Sequence, residues 1–115
     1  MVPVEAFREL ALAFEDVEEL PHFEKTSFRV RKKIFATLHI EKAQAVVKLS
    51  DIDQSVFAEY HPDVIYPVKG AWGKKGWTMV ELGTVPTDMC KDILNTAYCQ
   101  VAPKKLADKY RPKDI

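Results

Sequence analysis

The chain has 115 residues, of which 47% are hydrophobic and 30% charged, a composition typical of one soluble globular domain. Its 17 basic and 17 acidic side chains give a formal net charge of zero, which argues against a dedicated DNA-binding protein, because such proteins usually carry a basic excess. No apolar run reaches the roughly 18 residues that a membrane helix needs. The first ten residues lack the pattern of a signal peptide, so we expect a cytoplasmic protein without membrane contacts.

A helix is predicted at the N-terminus, where apolar residues recur at helical spacing: Val4, Phe7, Leu10, Ala11 and Phe14. The acidic segment EDVEE that follows is assigned to the end of this helix and its exit loop. Alternation of apolar and polar residues then predicts three antiparallel strands within residues 27–31, 34–40 and 45–49. Further on, we expect a short helix at 53–60, two strands at 64–68 and 77–82, and two C-terminal helices before residue 110.

This order predicts an α+β fold in which an antiparallel sheet has the N- and C-terminal helices packed on one face. Residues 1–110 are expected to form a single domain and residues 111–115 a loose C-terminal tail. If the helices cover the face that carries Ile34, Ala36 and Leu38, the opposite face carries Phe35, joined by Trp77 or Met79. That face is then either open and apolar enough to bind a partner, or covered by the helix at 53–60.

The sequence contains no nucleophile, phosphate-loop or dinucleotide-binding motif, so we expect no enzymatic activity. His22, His39 and His61 are scattered, and no pair of residues has the spacing of zinc ligands, so no metal and no cofactor are expected. Cys90 and Cys99 fall nine positions apart in one predicted helix, which places them on opposite faces and excludes a disulfide between them.

Two predicted hairpins carry basic residues at their tips. In GAWGKKGWTMVEL, residues 70–82, three glycines permit positive φ at a tight tip that Lys74 and Lys75 form, with Trp72 in the loop and Trp77 in the core. In RVRKKIF the first tip contains Arg31, Lys32 and Lys33. Two such hairpins can straddle DNA phosphates, although lysines also occupy hairpin tips simply because tips are solvated.

Four segments, together with the opening helix, follow the order of a known family: HFEKTSFRVRKKIFATL, AVVKLS, GAWGKKGWTMVEL and AYCQVAPKKLA. The chain resembles the MmcQ/YjbR-like proteins over nearly its whole length. The resemblance implies a CyaY-like (frataxin-like) fold and a double-wing DNA-binding motif, with wings at Lys32–Lys33 and Lys74–Lys75. Family members often have glycine where this chain has Arg31 and Lys32, which predicts a wider or bulged first turn.

We therefore expect a small non-enzymatic protein that binds double-stranded DNA through two basic wings without sequence preference. The predicted contacts are Arg29, Arg31, Lys32, Lys33, Trp72, Lys74, Lys75, Lys104 and Lys105. The alternative is a protein-interaction module. Its surface would be the open sheet face with Phe35 and Trp77, or an acidic patch of Glu15, Asp16, Glu18 and Glu19.

Overall fold

The computed structural model describes residues 1–111, and residues 112–115 of the predicted C-terminal tail lie outside the described part. The strands are β1 (Val17–His22), β2 (Lys25–Val30), β3 (Lys33–His39), β4 (Gln44–Lys48), β5 (Ile65–Pro67) and β6 (Trp77–Glu81). The helices are α1 (Val4–Leu12), α2 (Asp51–Ala58), α3 (Ala71–Lys74), α4 (Thr87–Val101) and α5 (Lys104–Ala107). Among the helices of residues 1–111, none has both the length and the apolar character that spanning a membrane requires.

The strands form one antiparallel sheet in the order β1-β2-β3-β4-β6-β5, which confirms the predicted α+β class and antiparallel sheet. Strand β1 was not predicted, because its sequence VEELPH was assigned to a helix end and exit loop. It pairs with β2 from Val17↔Val30 to His22↔Lys25 and forms one edge of the sheet. Acidic residues and Pro21 hide its alternation, and an edge strand tolerates both.

Helices α1 and α4 cover one face of the sheet, as predicted. On that face Phe28, Ala36 and Val47 stand in register and are fully buried. The buried residues of α4 lie on one side of the helix, as its spacing predicts: Cys90, Ile93, Leu94, Ala97 and Tyr98. Both cysteines are free, and burial raises the pKa of Cys90 to about 11.

Helix α2 lies on the same side of the sheet as α4. The Gln54 side-chain nitrogen is 3.0 Å from the hydroxyl oxygen of Thr78, and Thr78 pairs with Val47 on the helix-covered face. The helix therefore leaves the opposite sheet face uncovered, which decides between the two arrangements that the sequence left open.

Phe35 does not lie on that uncovered face, because the β2–β3 pairing is irregular. Phe28 pairs with Ala36 but Arg29 pairs with Ile34, so Phe35 is an extra residue in β3. Such a bulge reverses the alternation on its far side. Phe35 is fully buried, with its ring centroid 6.2 Å from that of Phe14 and 5.5 Å from that of Tyr98. The prediction that placed Ile34 in the core and Phe35 on the open face is therefore wrong.

Candidate nucleic-acid interface

The two predicted wings lie at the same end of the sheet. Residues 31–32 connect β2 to β3, and residues 68–76 connect β5 to β6. Val30↔Lys33 is the last pair between β2 and β3, and Lys48↔Trp77 is the last pair between β4 and β6; both pairs lie at this end of the sheet. The sheet order places the centres of the two hairpins three strand intervals apart, which at about 4.8 Å per interval is about 14 Å. This separation is close to the roughly 12 Å width of the DNA major groove.

The first wing is a two-residue turn. Arg31 and Lys32 connect the pair Val30↔Lys33 and have φ of 50° and 71°. Positive φ at both central residues is the geometry of a type I′ turn, which fits the twist of the flanking strands but favours asparagine and glycine. The expectation of a wider or bulged turn is wrong, because the irregularity lies within the strands instead.

The two arginines near this turn are engaged within the protein. A guanidinium nitrogen of Arg31 lies 3.0 Å from a carboxylate oxygen of Asp16, and both side chains are exposed. The Nε of Arg29 donates to the Ser27 hydroxyl at 3.0 Å, so this side chain lies along the uncovered sheet face. Lys32 and Lys33 are exposed and extend into solvent. The lysines, more than the arginines, are therefore positioned to contact phosphates.

The second wing contains the helical turn α3, in place of the predicted tight tip. Gly70 and Gly76 have φ of 81° and 101°, as predicted, whereas Gly73 has no positive φ. A β-carbon at Gly73 would lie 1.9 Å from the Val68 carbonyl oxygen, and one at Gly76 would lie 1.9 Å from that of Leu49. The backbone nitrogen of Leu49 donates to the Gly76 carbonyl at 2.9 Å. The loop is thus packed against the end of β4.

An exposed aromatic side chain and a lysine meet on this loop. Trp72 is 61% exposed, which confirms its predicted peripheral position, and the Lys75 ammonium lies 5.2 Å from the centroid of its ring. Lys74 is also exposed. Lys48 bonds to the Lys75 carbonyl and lies between the two wings. Lys48 was not predicted as part of this site, because its position between the wings depends on the order of the strands. The exposed Lys69, which precedes Gly70, was not predicted either.

Trp77 is half-buried on the uncovered sheet face, so the prediction that it lies in the core is wrong. Its Lys48 neighbour is 6.0 Å from the ring centroid. The same face carries Tyr66, whose hydroxyl donates to Glu81, and this bond, with burial second, raises the pKa of Tyr66 to about 12. The Gln44 amide donates to the same carboxylate at 3.1 Å. The polar groups at this part of the face thus satisfy one another.

The remaining predicted contacts lie in the helical layer. Lys104 is paired with Asp108 at 2.9 Å, and Lys105 is exposed on the same short helix, which packs against α4. Neither residue belongs to the sheet or to the turns at its end. The structure therefore brings together the two wing lysine pairs and leaves Lys104 and Lys105 outside them.

The predicted acidic patch is divided among several contacts. Glu15 is 2.5 Å from Lys109, and Asp16 binds Arg31. Glu19 accepts hydrogen bonds from Arg8 at 2.7 Å and from Thr26 at 2.8 Å. Glu18 is the next residue along β1, so its side chain points to the opposite sheet face. Within residues 1–111, no group of three His, Cys, Asp or Glu side chains is placed to hold a metal ion.

Comparison with known proteins identifies a family and a shared fold. The family model described as YjbR matches residues 12–100, a span that includes both wings. A crystal structure of the Deinococcus radiodurans protein DR2400, described as a DUF419 domain, has a TM-score of 0.79 at 24% identity and covers 96% of this chain and 86% of that one. At that identity the likeness shows a common fold. No curated protein matches the sequence significantly.

Proposed function

The chain belongs to the YjbR family. We propose that it is a cytoplasmic, non-enzymatic protein. We further propose that its two wings bind double-stranded DNA without sequence preference. The same family resemblance supports a CyaY-like arrangement of sheet and helices in which the two hairpins are the wings. The observation that carries the proposal is the position of Lys32–Lys33 and Lys74–Lys75 at one end of the sheet, about 14 Å apart by strand spacing.

Because the net charge of the chain is zero, the proposed attraction to DNA phosphates comes from the wing lysines and acts over a short distance. Exposed charges act together only within about one Debye length, which is about 10 Å at 0.1 M salt and about 30 Å at 0.01 M. Two wings about 14 Å apart therefore share one positive field at low salt and act separately at high salt. Lys48 lies between them on β4 and adds a further positive charge at this end of the sheet. Binding should accordingly be weak and strongly dependent on salt.

Trp72 adds an aromatic surface to the second wing. Its exposed ring is held beside Lys75, so a phosphate bound by that ammonium places the neighbouring sugar or base near the indole. Stacking of this kind accepts every base, because every base has an aromatic face. The arrangement supports backbone contact and stacking, and it offers no set of side chains suited to reading base edges.

Fluorescence anisotropy with a random 20-base-pair duplex at low salt tests the proposal. The triple variant K32Q/K74Q/K75Q should reduce the slope of log K against log salt by up to about 2.7, since each lost phosphate contact contributes about 0.9. Its matched control is K25Q/K42Q/K91Q, which removes the same charge from lysines away from the wings. If the wild-type protein fails to bind at low salt, or if the control loses as much slope, the proposal is wrong.

The two surfaces that the sequence suggested for a protein-interaction module are not present in the form expected. Phe35 lies in the core, and the acidic residues near β1 do not form a continuous patch. The uncovered sheet face remains, but its most prominent aromatic side chain, Trp77, is half-buried beside Lys48. The DNA-binding proposal is therefore the better supported of the two.

A further inference from the structure

Two apolar side chains of helix α2, and Tyr60 just beyond its end, face solvent. Ile52 is 76% exposed, Val56 58% and Tyr60 47%. These residues are four positions apart, and hydrogen bonds from the backbone nitrogens of Glu59 and Tyr60 continue the helical turn beyond Ala58. Residues at this spacing form one row along a helix surface. We refer to Ile52, Val56 and Tyr60 as the α2 ridge.

The orientation of α2 is fixed by the residues on its inner side. The side-chain nitrogen of Gln54 lies 3.0 Å from the Gly73 carbonyl oxygen, 3.3 Å from that of Trp77 and 3.0 Å from the Thr78 hydroxyl. Phe57 packs against the core from the same side. Rotating the helix to bury the ridge would remove Gln54 from all three acceptors. The exposure of the ridge is therefore built into the packing of the helix.

The charges on the segment that carries the ridge are of one sign, although Arg111 lines a pocket with Asp53 on the inner side of the helix. Between residues 51 and 63 every charged side chain is acidic: Asp51, Asp53, Glu59 and Asp63. The first two lie in the first turn, where negative charge is favourable to the helix dipole and Ser50 supplies the N-cap. Glu59 and Asp63 follow the other end, where the dipole favours bases, and the last turn contains none. Helix stability explains the first pair of acids but not the second.

We propose that the α2 ridge docks a basic amphipathic helix of another protein. The apolar side of such a helix would pack on Ile52 and Val56, while its lysines or arginines would pair with Glu59 and Asp63. A row of residues at four-residue spacing packs into the corresponding groove of a partner helix at a crossing angle of about −50°. The surface is small, so the complex is transient. The ridge faces solvent on the side of α2 opposite Gln54, and its docking does not depend on the proposed DNA binding.

A synthetic 18-residue helical peptide of leucine and lysine, with leucine on one face, serves as the probe. In NMR titrations of the labelled full-length protein, its addition should shift the amide signals of residues 51–60 first. The variant I52S/V56S should bind at least tenfold more weakly. The matched control L20S/I40S, which removes two other exposed apolar side chains, should bind as the wild type does. Because all four residues are exposed, both variants should keep the wild-type Tm.

Three outcomes would overturn the proposal. The first is that shifts appear on another surface, or that L20S/I40S weakens binding as much as I52S/V56S. The second is that a peptide with glutamate in place of lysine binds equally well, since charge then plays no part. The third is a dimer in sedimentation equilibrium that I52S/V56S disperses, which would make the occupant a second copy of the chain. The K32Q/K74Q/K75Q variant should bind the peptide normally, so failure of the DNA proposal leaves this result unaffected.

Discussion

Gly76 packs so closely on Leu49 that a β-carbon at position 76 would lie 1.9 Å from the Leu49 carbonyl oxygen. The contact joins the second wing to the end of β4, and the hydrogen bond between the Leu49 nitrogen and the Gly76 carbonyl reinforces it. Gly76 also has φ of 101°, a value that other residues rarely adopt. The position of the second wing relative to the sheet therefore depends on the absence of a side chain here.

Gly76→Ala should lower the free energy of unfolding by about 3 kcal/mol or more, because it adds a backbone clash to an unfavourable φ. Urea denaturation monitored by tryptophan fluorescence measures this loss. Gly70→Ala, with φ of 81° and ψ of −153° but no atom within 4 Å of the added carbon, should cost about 1–3 kcal/mol, because essentially only glycine adopts this conformation. Gly83→Ala, with neither feature, should stay within about 0.5 kcal/mol of the wild type. Equal losses at the three positions would contradict the packing described.

The bulge in β3 reverses the order of stability losses that simple alternation predicts for Phe35 and Ile34. Phe35→Ala should destabilise the protein by about 3–5 kcal/mol, because its ring is fully buried between Phe14 and Tyr98. Ile34→Ala should cost less than about 1.5 kcal/mol, because its side chain is half-exposed on the open face. Denaturant midpoints at unchanged slope give both values. A larger loss at Ile34 than at Phe35 would show that the strand follows regular alternation.

Local patterns predicted most helices and strands, whereas features that depend on pairing between distant segments were not predictable. The apolar spacing in α1 and α4 depends on the helix period alone, and Phe7 and Tyr98 are buried as expected. The bulge at Phe35 arises only when β2 and β3 pair, and alternation within β3 does not record it. The proximity of the wings likewise depends on the sheet order, which places β6 between β4 and β5.

Glycine substitutions at Lys32 and Lys33 remove the same charge but should change the stability of the protein in opposite directions. Lys32→Gly should stabilise the protein by about 1 kcal/mol, because glycine accepts the φ of 71° that lysine adopts with strain. Lys33→Gly removes the same charge from a regular strand position and should destabilise by about 0.5–1 kcal/mol. If both lysines contact phosphates, the two variants should show equal reductions of about 0.9 in the salt slope. A stability loss in Lys32→Gly would contradict the strain assigned to the turn.

Tyr98 should make the stability depend on pH in the alkaline range. Its hydroxyl donates to the Glu15 carbonyl at 2.7 Å, and burial, followed by the neighbouring Tyr110 and Glu15, raises its pKa from 10.0 to about 12. Between these values the unfolded chain loses a proton that the folded protein keeps, so the free energy of unfolding falls as pH rises. The contribution is fully present below pH 10 and is lost as pH passes through about 12.

At pH 7, Tyr98→Phe should cost about 1 kcal/mol for the lost hydrogen bond. In urea titrations at increasing pH, this difference should stay constant up to about pH 10 and then narrow, because phenylalanine cannot ionise. Phe7→Leu, which removes buried apolar contacts but no titratable group, should show a constant difference over the same range. A Tyr98→Phe difference that remains unchanged through pH 12 would show that the folded protein does not hold this proton.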